Sequence, residues 1–417
     1  MKQNIKIILC VCLLLPAIAY SQPVLPLDSI LQKITQNNAM LKVYAYKAEG
    51  VKYQAEAATS WMPPMIGAGT FMTPYPFQKL MSGSDKGSLM FQIEQSFPSK
   101  SKQQAGKKYL LSKGEEYVVQ KEITLNELHS IAKELYFSQV IAEKKINRLK
   151  KNATLLETIK KIEEVRYPFN QSQLGMIYKA EAAIENNRNA ITGLEGEIQQ
   201  AGALLNSLMN RPEYELFKTD TNTLLLYRPQ PLLLSDTAMF SESRKDAALL
   251  NVTINSIQKG ITAKSLERKP AFSLRFDHMS PLSGMMPQGF SLMGMMTIPL
   301  APWSSKGFKS EIKAMNFEIA SLEQQRTSLL QEAHGRVYAI HYKIINTKKK
   351  ISGIEDRLIP ALQKTLDANF ISYQENKLGI TELLASWKEL NDTELELLNE
   401  TLGLYQLIIS YEKETFQ

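Results

Sequence analysis

A chain of 417 residues that is 44% hydrophobic can bury a large core or build two or three ordinary domains. Its 20 glycines and 18 prolines are gathered into a few places, and the long spans between them argue for extended helices over compact domains. The formal charge of +7 comes from acids and bases that alternate along the chain, a pattern of solvated helix faces that argues against a nucleic-acid partner.

The chain opens with Lys2 and Lys6, an apolar run from Ile7 to Ala19, and small residues suited to cleavage, so residues 1–21 are expected to be a secretory signal peptide. Both cysteines, Cys10 and Cys12, fall inside it, which leaves the mature chain without disulfides or a thiol nucleophile.

From Leu27 to about Ser60 the sequence predicts a helix, with Asp28 or Ser29 as its N-cap, stopped by Trp61-Met-Pro-Pro. Residues 65–97 then change period. Leu89, Phe91, Ile93 and Gln95 alternate with Met90, Gln92, Glu94 and Ser96, the spacing of a strand with one apolar face, and a Pro-, Gly- and Ser-rich loop joins it to an earlier short run. From about Lys102 to Arg166 there is no proline, and apolar residues recur at intervals of three and four; about 65 residues give a rod of roughly 100 Å. The stretch 167–175, within YPFNQSQLGMIYKAE, reads as a hairpin tip, because Asn170 tolerates the left-handed conformation that ends a helix. A return helix runs from about Leu174 to Asn210, and 211–234 is a linker with three prolines.

The second half repeats the order. A helix reaches about Lys264. A strand hairpin follows at 270–300, with Phe272, Leu274 and Phe276 on one face and Ser273, Arg275 and Asp277 on the other. A long helix runs from about Lys306 to Tyr373, interrupted near Pro360. The tip 371–380 lies in YQENKLGITELLASW, and the seam of the return helix holds Leu383, Trp387 and Leu390. The interval from Asn170 to Asn376 is 206 residues, and so is that from Pro64 to Pro270. The chain is therefore two copies of one unit, 22–210 and 235–417.

A strand of nine to eleven residues with an apolar face crosses a bilayer only within a closed barrel, because an open edge leaves backbone groups unsatisfied in lipid. Four strands cannot enclose a pore, so several copies must share one barrel. Rods with narrow apolar stripes make the same demand and should pack side by side into a cylinder.

With its two repeats and its tips at Tyr167-x-x-Asn170 and Tyr373-x-x-Asn376, the chain resembles the TolC-type outer membrane factors over essentially its whole mature length. It departs from that family's usual Gly at both tips, and carries Ser386 where Ala is common. The resemblance implies a mainly α fold with a membrane β-barrel: a homotrimer whose twelve strands form one barrel in the outer-membrane lipid of a Gram-negative bacterium, continued by a periplasmic α-barrel. Its tips would meet a periplasmic adaptor protein and an inner-membrane pump of the resistance-nodulation-division type, and open like an iris. It implies a passive conduit that needs no cofactor, and no enzyme motif is found. Of the 17 methionines, eleven lie in or beside the strand hairpins. Thioether sulfur suits Cu(I) and Ag(I), so Met279, Met285 and Met286, with His278, are candidates for transient contact with an exported soft metal; flexible apolar filling is the alternative role. Drug, detergent or protein export is the alternative cargo, and a periplasmic scaffold or adaptor without a pore is the alternative of another class.

At the tips, Glu163, Glu164, Arg166, Tyr167 and Asn170 lie in one hairpin, and Asp367, Tyr373, Glu375 and Asn376 in the other. In the family resembled, ties between charged and tyrosine side chains near this end hold the tunnel closed, which makes these residues the candidate gate. Arg275 and Asp277 are expected to face the barrel lumen and bias ion passage. His334 and His341, seven apart and without a carboxylate at convincing spacing, are expected to be structural.

Overall fold

The computed structural model describes residues 23–79, 86–228, 237–283, 287–299 and 301–416. The expected leader 1–21 and residues 229–234 of the expected linker lie outside them. In chain order the elements are β1 (Val24–Leu25), α1 (Leu27–Asn37), α2 (Ala39–Ala57), β2 (Met65–Phe71), β3 (Ser88–Phe97), α3 (Lys100–Arg166), a 3-10 turn (Tyr167–Phe169), α4 (Leu174–Leu208), β4 (Lys218–Thr219), α5 (Thr237–Ser243), α6 (Lys245–Ser265), β5 (Ala271–Pro281), β6 (Gly289–Thr297), α7 (Pro302–Gly353), a π-helical segment (Ile354–Leu358), α8 (Ile359–Gln374) and α9 (Ile380–Thr415). They form two compact units. One comprises Met1–Asn38, Glu127–Pro229 and Ala339–Lys413; the other comprises Ala39–Asn126, Gln230–Tyr338 and Glu414–Gln417. Each unit draws on both halves of the chain.

The first helical stretch is not continuous. It breaks at Asn38, whose backbone leaves helical geometry (φ −59°, ψ 127°). Its side-chain amide donates to the Leu208 carbonyl at 2.9 Å, a partner 170 residues away that no local pattern announces. Nor is α1 capped by Asp28 or Ser29. Pro26 occupies the N-cap, and Asp28 sits in the first turn, where its carboxylate faces the positive end of the helix dipole.

In the unit that contains the tips, four helices share one core. Leu156 and Ile159 of α3, Ala180 and Ile184 of α4, Leu366 and Tyr373 of α8, and Ile380, Leu383, Trp387 and Leu390 of α9 are all buried together. Their spacings of three, four and seven place them on single helix faces, so the apolar stripe of each helix is spent against the other three. Further along α9 a polar layer interrupts the seam. Asn152 donates to Asn391 at 2.8 Å and to Glu394 at 3.1 Å, and Arg148 pairs with Glu394 at 3.0 Å. Such a layer has fewer satisfactory registers than an apolar one. The linker is packed too: β4 pairs in parallel with β1, and Phe217 and Thr219 are buried.

In the other unit, β2, β3, β5 and β6 form one antiparallel sheet in that order. Gly87 sits just before β3 with φ +78°, and a Cβ there would lie 2.7 Å from the Thr73 Cα, so only glycine fits that turn. The last strand is shorter than the expected run to residue 300, ending at Thr297 before Pro299, which has no N–H to extend a ladder. Among the described residues no helix is long and apolar enough to cross a membrane.

Candidate functional site

The sheet has two chemically distinct faces. Ile66, Ile93, Phe276 and Leu292 are register partners across the four strands, as are Phe97, Phe272 and Met296 nearer the helices. All seven are exposed. Exposed apolar side chains in a continuous sheet face are what lipid requires and water opposes. Trp61, 60% exposed, packs edge-on against Phe97 at 5.5 Å, and Trp303 is 82% exposed beside the same strand ends; Tyr75 and Phe77 are exposed beyond the opposite ends. Aromatic side chains at both ends of a strand band match the two interfaces of a bilayer.

The other face is polar. Asp277 is 4% exposed and accepts a 2.8 Å charge-assisted bond from Arg275. Gln92 stands opposite Asp277, and Glu94 stands opposite Arg275. Glu94 was not among the residues singled out by sequence, yet period-two alternation alone puts it on this face.

The two expected metal contacts of β5 do not share a face. His278 falls in the row of Phe91 and Phe290, on the apolar side, whereas Met279 is the register partner of Met90, on the polar side. β5 runs on to Pro281, so the alternation of a strand governs both residues. Met285 and Met286 lie outside the described residues.

At the tips, both asparagines adopt the left-handed conformation, Asn170 at φ 57° and Asn376 at φ 58°. The backbone bonds match as well. Each Asn N–H reaches the carbonyl of the Tyr three residues back at 3.1 Å, and the next residue reaches five back: Gln171 to Arg166, and Lys377 to Ser372. Arg166 and Tyr373 are brought together. The Arg166 guanidinium lies 4.6 Å from the Tyr373 ring centroid and donates to the carbonyls of Tyr373 and Gln374 at 3.0 and 3.1 Å. The Tyr373 hydroxyl donates to the Glu163 carboxylate, which also accepts from the Ser172 hydroxyl. Tyr373 is 1% exposed and Glu163 3%. Burial and the bond to Glu163 hold the Tyr373 phenol above its ordinary range. One buried carboxylate thus ties the first hairpin, through Ser172, to the second, through Tyr373.

The other expected gate residues stand apart from this cluster. Tyr167 is 45% exposed. Asp367 accepts from Gln363 at 3.0 Å, and Glu375 pairs with Lys377 at 2.6 Å. Ser386, by contrast, links the two arms of its own hairpin, accepting from Asn369 at 2.5 Å. Of the histidines, His334 lies edge-on to Phe240 at 4.9 Å and His341 bonds the Tyr227 hydroxyl at 2.5 Å. Among the described residues no group of His, Cys, Asp and Glu is arranged to hold a metal ion.

No protein-family model matches the sequence, and no curated protein does. Solved structures match the fold. The chain is similar to a membrane protein from Pseudomonas aeruginosa, with a TM-score of 0.76 and 13% identity over 95% of this chain and 91% of that one. It is similar to CusC, described for its folding and transmembrane channel formation, at 0.74 and 16% over 93% and 91%. It is similar to the outer membrane protein VceC from Vibrio cholerae at 0.72 and 13% over 93% and 95%. At such identities the likeness concerns the fold.

Proposed function

We infer, from a fold shared with outer-membrane channel proteins, that copies of this chain assemble into a passive export conduit spanning the outer membrane and periplasm of a Gram-negative cell. The observation that carries this reading is the two-faced sheet. Its apolar side chains are exposed on one face, Asp277 is buried beside a half-buried Arg275 on the other, and among the described residues β2 and β6 each pair on one side only. In lipid those edges must be paired by further copies. Three copies give twelve strands, enough for a barrel with a lumen. The Glu163–Tyr373–Arg166 cluster is read as the closed gate, with the tips offered to a periplasmic adaptor and, beyond it, an inner-membrane pump of the resistance-nodulation-division type that supplies the energy. Detergent extraction of the outer-membrane fraction tests the core of this: a heat-modifiable trimer supports it, and a chain recovered as a soluble periplasmic rod overturns it in favour of a scaffold.

The cargo reading is Cu(I) or Ag(I) in preference to drugs, detergents or proteins. Its support is that Met90 and Met279 are register partners on the polar face, beside Gln92 and Asp277 in sequence and register, so thioethers border the path a cation would take. A deletion strain selectively sensitive to copper and silver salts, rescued by the wild-type chain and not by M90L/M279L, supports this reading. Sensitivity to dyes and bile-type detergents alone sinks it.

A further inference from the structure

A cavity of about 1060 Å³ lies where the sheet meets the helices, lined by the ends of β3, β5 and β6 and by residues of α3, α6 and α7. Phe97, Phe272 and Met296, one register row of the exposed apolar face, line it. Ser96, Ser273 and Met295, the adjacent row of the polar face, line it too, so the cavity reaches both faces of the sheet, one of them the face that the conduit reading assigns to lipid.

The charged residues of the lining are Lys102, Lys264 and Lys269 with Glu94, Glu267 and Glu311; Glu94 stands opposite Arg275 on the polar face of the sheet, away from the Phe97 row. Lys264 is already paired, with Glu267 at 3.0 Å and with Glu311. Lys102 and Lys269 are exposed, and among the described residues neither has a carboxylate within ion-pair distance; Lys269 meets only the Ser101 hydroxyl at 2.9 Å. Two unneutralised ammonium groups thus stand just past the last apolar row, with Trp61 packed on Phe97 at the same level.

We propose that this cavity is a binding site for one membrane glycerophospholipid. Its phosphate is held between Lys102 and Lys269, and its acyl chains lie along Phe97, Phe272 and Met296. The charge pattern selects this occupant. A purely apolar ligand leaves both lysines unused, and a purely ionic one leaves the aromatic row in water. A phospholipid satisfies both, and its phosphate depth matches lysines placed one row beyond the hydrocarbon band. The proposal rests on the conduit reading and adds to it a defined lipid contact at the helix-side rim.

The test uses the full-length protein purified in detergent, loaded with palmitoyl-oleoyl phosphatidylglycerol and read by native mass spectrometry. Wild type is expected to keep one lipid per chain under activation that strips the detergent shell. K102Q/K269Q is expected to bind roughly thirtyfold more weakly, the effect of removing two cations near a lipid surface. K349Q/K350Q, which removes two exposed lysines far along the chain, is expected to bind as wild type does.

Equal retention by K102Q/K269Q and wild type overturns the proposal. So does displacement of the lipid by inorganic phosphate alone, which marks a simple anion site. Loss of oligomer in K102Q/K269Q also overturns it, because the cavity is then a contact between copies. Heat-modifiable migration of the same samples separates the two levels of inference. If it persists while lipid retention fails, the conduit stands without the site; if it is absent in wild type, the conduit reading itself has failed.

Discussion

At the scale of single residues, the tip cluster and the polar sheet face carry the sharpest expectations. Tyr373→Phe removes a buried bond to a carboxylate and leaves Glu163 with only Ser172, so it is expected to destabilise the tip unit by about 2 kcal/mol. If the cluster is the gate, single-channel conductance of the variant in planar bilayers rises above the closed level of wild type; unchanged conductance with lowered stability assigns Tyr373 a packing role alone. The same phenol sets a pH dependence. Its folded value lies above the ordinary 10.0, so its contribution is fully present below about pH 10 and is lost as pH rises through the folded value. Urea midpoints of wild type are expected to fall on alkalinisation beyond that point, and those of Tyr373→Phe to fall less. On the sheet, Glu94, Arg275 and Asp277 share one face and sum to one negative charge per chain. Glu94→Gln is expected to lower the ratio of cation to anion permeability, measured as reversal potential in a salt gradient.

At the scale of elements, the left-handed asparagines decide whether each pair of helices turns back on itself. Asn170→Ala and Asn376→Ala place a residue without a compensating side chain at φ near 57°, at a cost of about 1 kcal/mol each, while the glycine variants stay close to wild type. Denaturant unfolding of the four variants checks this; equal losses from Ala and Gly sink the conformational argument. These turns were readable because the requirement is local. The interruption before Pro360 was readable as well, since proline cannot donate to residue 356, but its form as the five-residue π segment Ile354–Leu358 was not. The break at Asn38 was invisible in the sequence, because the carbonyl that holds it belongs to Leu208 on another helix.

At the scale of the whole molecule, the two sheet faces make a paired prediction. Phe276→Lys puts a charge on the apolar face and is expected to cost about 2–4 kcal/mol in a bilayer, with loss of heat-modifiable trimer. Ser291→Lys, on the neighbouring strand but beside Asp277 on the polar face, is expected to assemble normally. Equal tolerance of both means that neither face meets lipid, and the conduit reading falls. On the conduit reading the asymmetry belongs to the assembled barrel, because only closure turns one face to lipid and the other to a lumen.

Features that depend on neighbours within a few residues are legible along the chain: strands of period two with one apolar face, long helices, and asparagine turns. Along the chain Glu163, Arg166 and Tyr373 are separate candidates in two hairpins. The fold brings Glu163 and Tyr373 together across 210 residues with Ser172 beside them, and leaves Asp367, Glu375 and Tyr167 out of that cluster. It also decided that β5 extends past His278, which turns that ring away from Met279. The physical reason is one of range: propensity and periodicity act along the chain, whereas the pairing of a buried carboxylate is fixed by which helices exclude water around it together.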